Sequence, residues 1–179
     1  MAIIRVETDI AARPETCFDL ARSVDAHIES TPGTGERAVG GVTTGLLGLG
    51  DEVTWRARHF GITQELRSRI TAYDRPRHFR DVMVRGAFHR FEHDHHFEAL
   101  PTGTRMVDTC DFTAPLGFFG AVAERLFLTA YLTQFLQSRA DLLKQFAESG
   151  AGTRFGVGEP AAAADERGLA DGLSGQSIV

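Results

Sequence analysis

The segment Phe88-His-Arg-Phe-Glu-His-Asp-His-His-Phe97 reads as one long β-strand and indicates what kind of fold surrounds it. Side chains of a strand point alternately to the two faces of a sheet. One face therefore carries Phe91, His93, His95 and Phe97, and the other carries mostly charged side chains. A strand that only packed a core would more simply use Val or Ile at the two histidine positions. The pattern therefore predicts a lined pocket, a proton relay or a metal site on this face.

Length and composition favour one domain with a sizeable core and exclude some classes of partner. The chain has 179 residues, of which 42% are hydrophobic, and this length suits one core with a cavity. The formal net charge is -5, whereas phosphate binding requires a basic face, so we expect no nucleic-acid partner. We also expect no signal peptide and no transmembrane segment, because neither sequence pattern occurs. The two cysteines form no CxxC motif, which is typical of reduced thiols in a cytoplasmic protein.

The periodicity predicts a strand, two short helices and then about six antiparallel strands. Residues 2–9 alternate as a strand, and Pro14 suits the first turn of the helix that follows. Turn signals at Gly61, Gly86 and Pro101-Thr-Gly103 join successive strands. Strands joined by such short turns form an antiparallel meander.

A long helix is predicted from Leu116 to about Ser149, because no proline interrupts this segment. Its middle, Leu126 to Leu136, is apolar on more than one stripe, although a helix that only covers a sheet needs a single stripe. The surplus could cover a cavity, form a dimer face or touch lipid. The Gly- and Ala-rich composition of residues 150–179 predicts a flexible tail, so the domain is expected to span residues 1–149.

Four motifs carry a resemblance to a known superfamily. They are Phe79-Arg-Asp-Val-Met83 with Gly86-Ala-Phe88, Phe91 to Phe97, Gly103-Thr-Arg-Met-Val-Asp108 and Pro115-Leu-Gly-Phe-Phe-Gly120. With the element order over about residues 1–148, they resemble the START-like, polyketide cyclase/dehydrase-like (SRPBCC) superfamily, and more closely a bacterial ligand-binding subgroup. That subgroup often has Trp at position 91 and Pro at position 87, where this chain has Phe and Ala.

The resemblance implies an α+β helix-grip fold. In this fold a curved antiparallel sheet of about six to seven strands wraps around the long C-terminal helix, with two short helices after strand 1. Proteins of the superfamily bind hydrophobic small molecules, carry lipids, or cyclise and dehydrate polyketides. The fold alone does not choose among these activities.

The acid–base candidates are His93, His95, Asp81 and Asp108. The Cβ atoms of the two histidines should lie roughly 6.5–7 Å apart, so both rings could reach one ligand or one ion. A buried carboxylate needs partners, and pairing with a histidine would satisfy both groups. A structural network and a proton relay would both use this pairing. With Asp81, Asp108 or His59, the histidines could also bind zinc or iron. Because nothing fixes a third ligand, and the superfamily usually needs no metal, we predict no metal and no cofactor.

The candidate lining of the pocket consists of large or polar side chains expected to point inward. These candidate ligand-binding residues are Trp55, Gln64, Met83, Phe91, Met106, Phe112, Phe119, Leu126 and Ala130. A wall rich in aromatic and Met side chains suits a planar or aliphatic guest, although an ordinary core would use the same residue types. Gln64 and Ser68 would be the polar anchors of such a pocket.

The first functional interpretation is binding of a small hydrophobic or aromatic molecule in a cavity between sheet and C-terminal helix. The alternative is a cyclase/dehydratase-like enzyme, in which a histidine moves a proton and a carboxylate orients it. A third interpretation is an interaction module that forms a homodimer through Leu128, Leu132 and Phe135. Nucleophilic catalysis by Cys110 is not expected, because no oxyanion loop is visible.

Overall fold

The computed structural model describes residues 1–114 and 127–157. Its strands are β1 (Ala2–Ile10), β2 (Arg37–Gly41), β3 (Glu52–His59), β4 (Ile62–Asp74), β5 (His78–Arg85), β6 (Arg90–Leu100) and β7 (Gly103–Thr113). Its helices are α1 (Pro14–Ala21), α2 (Val24–Glu29) and α3 (Thr129–Glu148). The strands form one antiparallel sheet in the order β1-β7-β6-β5-β4-β3-β2. The predicted α+β helix-grip fold, with two short helices after strand 1, is confirmed.

The central strand β6 has the two faces that its sequence predicts. Phe91 is half-buried, and His93, His95 and Phe97 are buried on the inner face. Hydrophobic burial of the phenylalanines fixes the register, because a slip of one residue would move them to the solvent face. Strand β6 therefore presents its histidines to the interior.

The register of the neighbouring strands brings two carboxylates beside these histidines. Asp81 on β5 lies opposite His93, and Asp108 on β7 lies opposite His95. Cys110 on β7 lies opposite His93 on the other side. Directly opposed residues on one face are close enough for their side chains to interact. Three adjacent strands thus supply one polar cluster on an otherwise apolar face.

An aromatic cluster fixes α1 against the inner face of the sheet. The ring of Phe18, which is fully buried, meets the rings of Tyr73, Phe79 and Phe97 edge-on at centroid distances of 5.3, 5.3 and 5.5 Å. Edge-to-face packing of this kind adds to the hydrophobic gain of burying the ring. Helix α1 also contacts α3, so it is held between the sheet and the C-terminal helix.

Helix α3 packs one stripe of side chains into the protein. The buried members of this stripe, most of which have a neighbour three or four residues away, are Leu132, Leu136, Arg139, Ala140, Leu143 and Ala147. This spacing is the helical period, and all but one of these side chains are apolar. The helix ends where the sequence predicts, while residues 115–126, in its predicted N-terminal part, lie outside the described residues. No helix in the described ranges is long and apolar enough to cross a membrane.

The packed domain continues beyond the boundary predicted at residue 149. Residues Ala151–Phe155 form a 3-10 turn, and Phe155 and Val157 are buried against the core. Gly150 has a φ of 72°, a conformation that glycine adopts readily and that ends a helix by reversing the chain. The glycines that suggested a flexible segment therefore cap structure here. Residues 158–179 lie outside the described residues.

The cap of α2 gives a first testable prediction. The hydroxyl of Ser23, which is almost fully buried, accepts a hydrogen bond from the Ala26 N–H at 3.2 Å. Ser23→Ala should lower the free energy of unfolding by about 1 kcal/mol, because the amide loses its acceptor. Urea unfolding measures the change. Ser149→Ala, at the exposed end of α3, is the control and should change stability by less than about 0.5 kcal/mol; equal effects would contradict the capping role.

Candidate functional site

The four acid–base candidates form one contiguous cluster on the inner face of the sheet. His95 Nε2 lies 3.2 Å from Asp81 Oδ2, and His95 Nδ1 lies 2.5 Å from Asp108 Oδ1. His93 Nε2 lies 3.4 Å from Asp108 Oδ1, and its Nδ1 lies 3.9 Å from Asp81 Oδ2. The centroids of the two imidazoles are 3.9 Å apart. Each carboxylate thus contacts both histidines, as the sequence-based pairing requires.

The packing of His95 fixes the orientation of its ring. The ring of Phe79 stacks on it at a centroid distance of 4.2 Å and an interplanar angle of 20°. On its edge, the Nε2 atom hydrogen-bonds with Asp81. With a stacked face and a bonded edge, the imidazole has little freedom to turn. Such orientation is what a proton-transfer group or a ligand contact needs.

Some polar atoms of the cluster lack an aligned partner. His93 Nε2, His95 Nδ1 and Asp108 Oδ1 are buried and make no well-directed hydrogen bond within the described parts of the chain. Asp108 Oδ1 lies 3.4 Å from His93 Nε2 and 2.5 Å from His95 Nδ1, yet no directed hydrogen bond joins these atoms. Buried polar atoms without a directed bond are costly, and a protein retains few of them. The cluster is therefore held together mainly by charge.

The two histidines are driven toward different protonation states. Burial by itself lowers the pKa of His95, but the carboxylates of Asp108 and Asp81 outweigh burial and raise that pKa above its ordinary value. Burial and the adjacent charge of His95 together lower the pKa of His93. Neighbouring titratable groups whose pKa values move apart can serve as an acid and a base. His95 therefore keeps its proton to a higher pH than His93 does.

The carboxylates of the cluster are ionised, while its thiol is not. Burial opposes ionisation of Asp81 and Asp108, yet the two histidines hold the pKa of each carboxyl below its usual range. Burial raises the pKa of the Cys110 thiol, and the carboxylate of Asp81 raises it further. A thiol held in its protonated form is a poor nucleophile. The geometry thus agrees with the expectation against nucleophilic catalysis.

A cavity of about 150 Å³ lies between the inner face of the sheet and α3. His93, His95 and Asp81 line it, so the cluster faces the cavity. Asp108 is buried behind the histidines and is not part of the wall. The exposed residue Ala87 also belongs to the lining, so the cavity reaches the protein surface.

The predicted lining is only partly present in the wall of this cavity. Trp55, Gln64 and Phe91 line it, and the polar Ser68 lines it as well. Phe119 and Leu126 lie outside the described residues. For the residues found in the wall, the alternation of side chains along each strand indicated the correct face of the sheet. These residues lie in the part of the sheet that borders the cavity.

Four residues predicted to line a pocket do not line this cavity. Met106 and Phe112 point inward, but β7 lies beside β1, where α3 packs, and both side chains are buried in the core. Met83 is half-buried on β5 without reaching the cavity, and Ala130 is exposed because it lies off the buried stripe of α3. The side-chain alternation indicates a face, but it does not indicate where the covering helix lies.

A second polar group in the cavity wall was not foreseen as a group. His27 Nε2 lies 3.2 Å from Glu36 Oε2, and the His27 ring stacks on Trp55 at 4.0 Å. His59 Nδ1 lies 2.6 Å from the hydroxyl of Tyr131. Burial opposes ionisation of Glu36, but the nearby His27 holds its pKa below the usual range. Burial lowers the pKa of His59, which favours its neutral form.

Arg139 also lines the cavity, and it is only 5% exposed. Its Nη2 donates a hydrogen bond to the carbonyl of Ala21 at 3.2 Å. A signal for this residue exists in the sequence, because Arg139 lies three and seven residues after Leu136 and Leu132 on the apolar stripe. A charged residue on such a stripe indicates a buried cation, which is uncommon without a partner.

Two groups of side chains have the composition and spacing of metal ligands within the described ranges. They are Asp81, His93 and His95 in the cavity, and His78, Asp94 and His96 on the outer face. In the first group the carboxylate is hydrogen-bonded to His95. In the second group Asp94 accepts a hydrogen bond from Arg80 at 2.8 Å and contacts His78. Ion pairing accounts for both carboxylates, so neither group calls for a metal on these contacts alone.

Known structures share the fold at low sequence identity. A protein of Thermus thermophilus matches with a TM-score of 0.69 and 20% identity, covering 84% of this chain and 99% of that one. The Zhui aromatase/cyclase from a Streptomyces species matches with a TM-score of 0.68 and 15% identity, covering 84% and 95%. A START superfamily protein from Mycobacterium smegmatis matches with a TM-score of 0.63 and 13% identity, covering 82% and 97%. No curated protein matches the sequence significantly.

Sequence comparison with family models gives a match over nearly the whole described domain. The model described as polyketide cyclase / dehydrase and lipid transport matches residues 1–148. This range includes every strand, both short helices and all of α3. The predicted resemblance to the START-like superfamily is thereby confirmed. The chain belongs to the polyketide cyclase/dehydrase and lipid transport family.

Proposed function

We propose that this domain binds a small hydrophobic or aromatic molecule in the cavity between the sheet and α3. The observation that carries the proposal is the cavity itself, whose wall combines apolar side chains with a few converging polar groups. Pockets for small molecules have this composition, and a cavity of about 150 Å³ has room for an aromatic ring. The activities of the family, which include lipid transport, support the same conclusion.

The binding energy would come mainly from apolar contact. A guest that buries roughly 200 Å² of apolar surface gains about 5 kcal/mol before the costs of association are subtracted. The aromatic walls formed by Trp55 and Phe91 suit a planar guest. The polar side chains would then orient the guest rather than supply most of its affinity.

The position of α3 supports a binding role over dimerisation through this helix. Leu132 and Phe135, two of the residues proposed for a dimer face, line the cavity. These two side chains therefore have an apolar role within one chain. Native mass spectrometry reports the oligomeric state together with any bound molecule.

Filling the cavity should abolish binding. We expect untagged protein, purified without added metal, to carry an organic adduct in native mass spectrometry. Ala57 lines the cavity on β3, and Ala57→Phe should lose the adduct and weaken the binding of added para-xylene at least about ten-fold, because the new ring occupies the site. Ala99→Phe, at an exposed position of β6, is the matched control. A wild-type protein that carries no adduct and binds no para-xylene would contradict the proposal.

A second function, acid–base catalysis of the cyclase/dehydratase kind, is favoured by the opposite pKa shifts of the two histidines. In a dehydration, neutral His93 would remove a proton from carbon next to a carbonyl group. Protonated His95, oriented by Asp81, would protonate the departing hydroxide, so that water leaves and a double bond forms. An aromatic β-hydroxyketone is a suitable probe, because its dehydration gives an enone that absorbs in the ultraviolet. His95→Asn should lose most of any such rate while still binding the probe, whereas a wild-type protein without this activity would leave binding as the function.

A further inference from the structure

Arg139 is a buried cation that has no ion-pair partner within the described ranges. One of its guanidinium nitrogens donates to the Ala21 carbonyl, but its Nε is buried and has no acceptor there. A guanidinium has five N–H donors, and burying one without an acceptor is costly. Because Arg139 lines the cavity, a molecule in the cavity can offer an acceptor to its guanidinium group.

Glu36 presents the complementary feature in the same wall. Its side chain is 10% exposed, and its Oε2 is buried without a well-directed hydrogen bond from the described residues. His27 lies 3.2 Å away but is not aligned to donate to this oxygen. The charge of Arg139 contributes to lowering the pKa of Glu36, so the two side chains are within electrostatic range of each other. The cavity thus contains one donor and one acceptor that both lack a partner.

We propose that Arg139 and Glu36 bind the polar end of the ligand, and that this ligand is an uncharged, hydroxylated aromatic molecule. The inference rests on the proposed binding function and narrows it to a ligand class. An oxygen of the ligand accepts a hydrogen bond from the guanidinium group of Arg139, and a hydroxyl group of the ligand donates to the carboxylate of Glu36. A phenolic hydroxyl can do both, because it has a donor and acceptor lone pairs.

The charges around the cavity favour an uncharged ligand over a carboxylate. The ionised side chains of Glu36, Asp81 and Asp108 outnumber the two cationic groups near them, Arg139 and His95. A carboxylate ligand would place another negative charge among them in a poorly solvated site. A purely apolar ligand would offer no hydrogen bond to the Arg139 guanidinium or to the Glu36 carboxylate. A neutral hydroxylated ring avoids both costs.

Three ligands of nearly equal size test this class. Para-cresol carries a hydroxyl group, para-xylene replaces it with a methyl group, and para-toluate replaces it with a carboxylate. Dissociation constants are measured by NMR titration at neutral pH. We expect the wild-type protein to bind para-cresol about ten-fold or more tightly than para-xylene, the range of a hydrogen bond to a charged group. Para-toluate should bind more weakly than para-cresol.

Substitution of Arg139 and Glu36 tests whether these residues cause the preference for para-cresol over para-xylene. Arg139→Met keeps much of the length of the side chain and removes its donors, so it should weaken para-cresol about ten-fold and leave para-xylene within about two-fold. Glu36→Gln, which does not alter α3, should weaken para-cresol independently by about three-fold or more. Arg154→Met is the control, because Arg154 is exposed, lies outside the cavity wall and pairs with Glu29 at 3.1 Å. That variant should keep the preference for para-cresol.

The outcomes separate this inference from the proposed function. Equal binding of para-cresol and para-xylene, tighter binding of para-toluate, or equal weakening of both neutral ligands by Arg139→Met would overturn the inference while binding itself stands. A wild-type protein that binds none of the three would overturn both. If Arg139→Met does not fold, unchanged para-cresol binding by Glu36→Gln overturns the inference.

Discussion

Replacing Asp108 with Asn is expected to lower the free energy of unfolding by about 3–5 kcal/mol. Asp108 is 2% exposed, and its Oδ1 contacts both His93 and His95. The loss of its charge leaves the protonated imidazole of His95 buried beside only one carboxylate, that of Asp81. Breaking a buried charge cluster in this way is far more costly than replacing the whole cluster with apolar side chains. Chemical denaturation at neutral pH measures the change.

An exposed aspartate provides the control for Asp108→Asn. Asp9 on β1 forms an ion pair with Arg105 at 2.8 Å, and its side chain is 58% exposed. Asp9→Asn should change stability far less than Asp108→Asn, because solvent screens such pairs. If both substitutions cost the same, Asp108 does not hold a buried charge in place, and the acid–base interpretation loses its main support.

The inner face of the sheet could be predicted because strand alternation is a local property. The parity of β6 placed His93 and His95 inside, and the turn at Gly86 placed Asp81 on a neighbouring strand. Because a buried carboxylate needs a partner, we expected Asp81 and Asp108 to pair with the two histidines. The four side chains are in contact in the structure. The same reasoning indicated the correct face of the sheet for Met106. It did not show that Met106 packs in the core instead of lining the cavity, because the position of α3 depends on tertiary packing.

The second polar group, around His27 and Glu36, could not be predicted from the sequence for a different reason. Glu36 precedes β2 and His27 lies on a six-residue helix, and neither segment is long enough for periodicity to assign a face. Arg139 was detectable on the apolar stripe, but its lack of a partner depends on where Ala21 and the cavity lie around it. Short elements and helix positions that face a cavity need the assembled fold before their role can be assigned.

The pH dependence of two matched variants gives the last prediction. His95→Asn should cost about 3 kcal/mol at a pH of about 5.5 and much less at about 8.5. The folded-state pKa of His95 is raised above its ordinary value of 6.5, so the folded chain keeps this proton where the unfolded chain has lost it. Its stabilisation is therefore complete below pH 6.5 and is lost as the pH rises through the folded-state pKa. Asp81 and Asp108, whose pKa values are lowered, remain ionised over this whole interval.

His93→Asn should show the opposite slope, although it lies on the same face two residues away. The folded-state pKa of His93 is lowered, chiefly by burial, so in acid the unfolded chain takes up a proton that the folded chain does not. Removing His93 abolishes that penalty, so the cost of His93→Asn should be smaller at about pH 5.5 than at about pH 8.5. Denaturant unfolding of both variants across this range measures the two slopes. Parallel slopes would mean that the two imidazoles share one environment, and that the cluster does not separate an acid from a base.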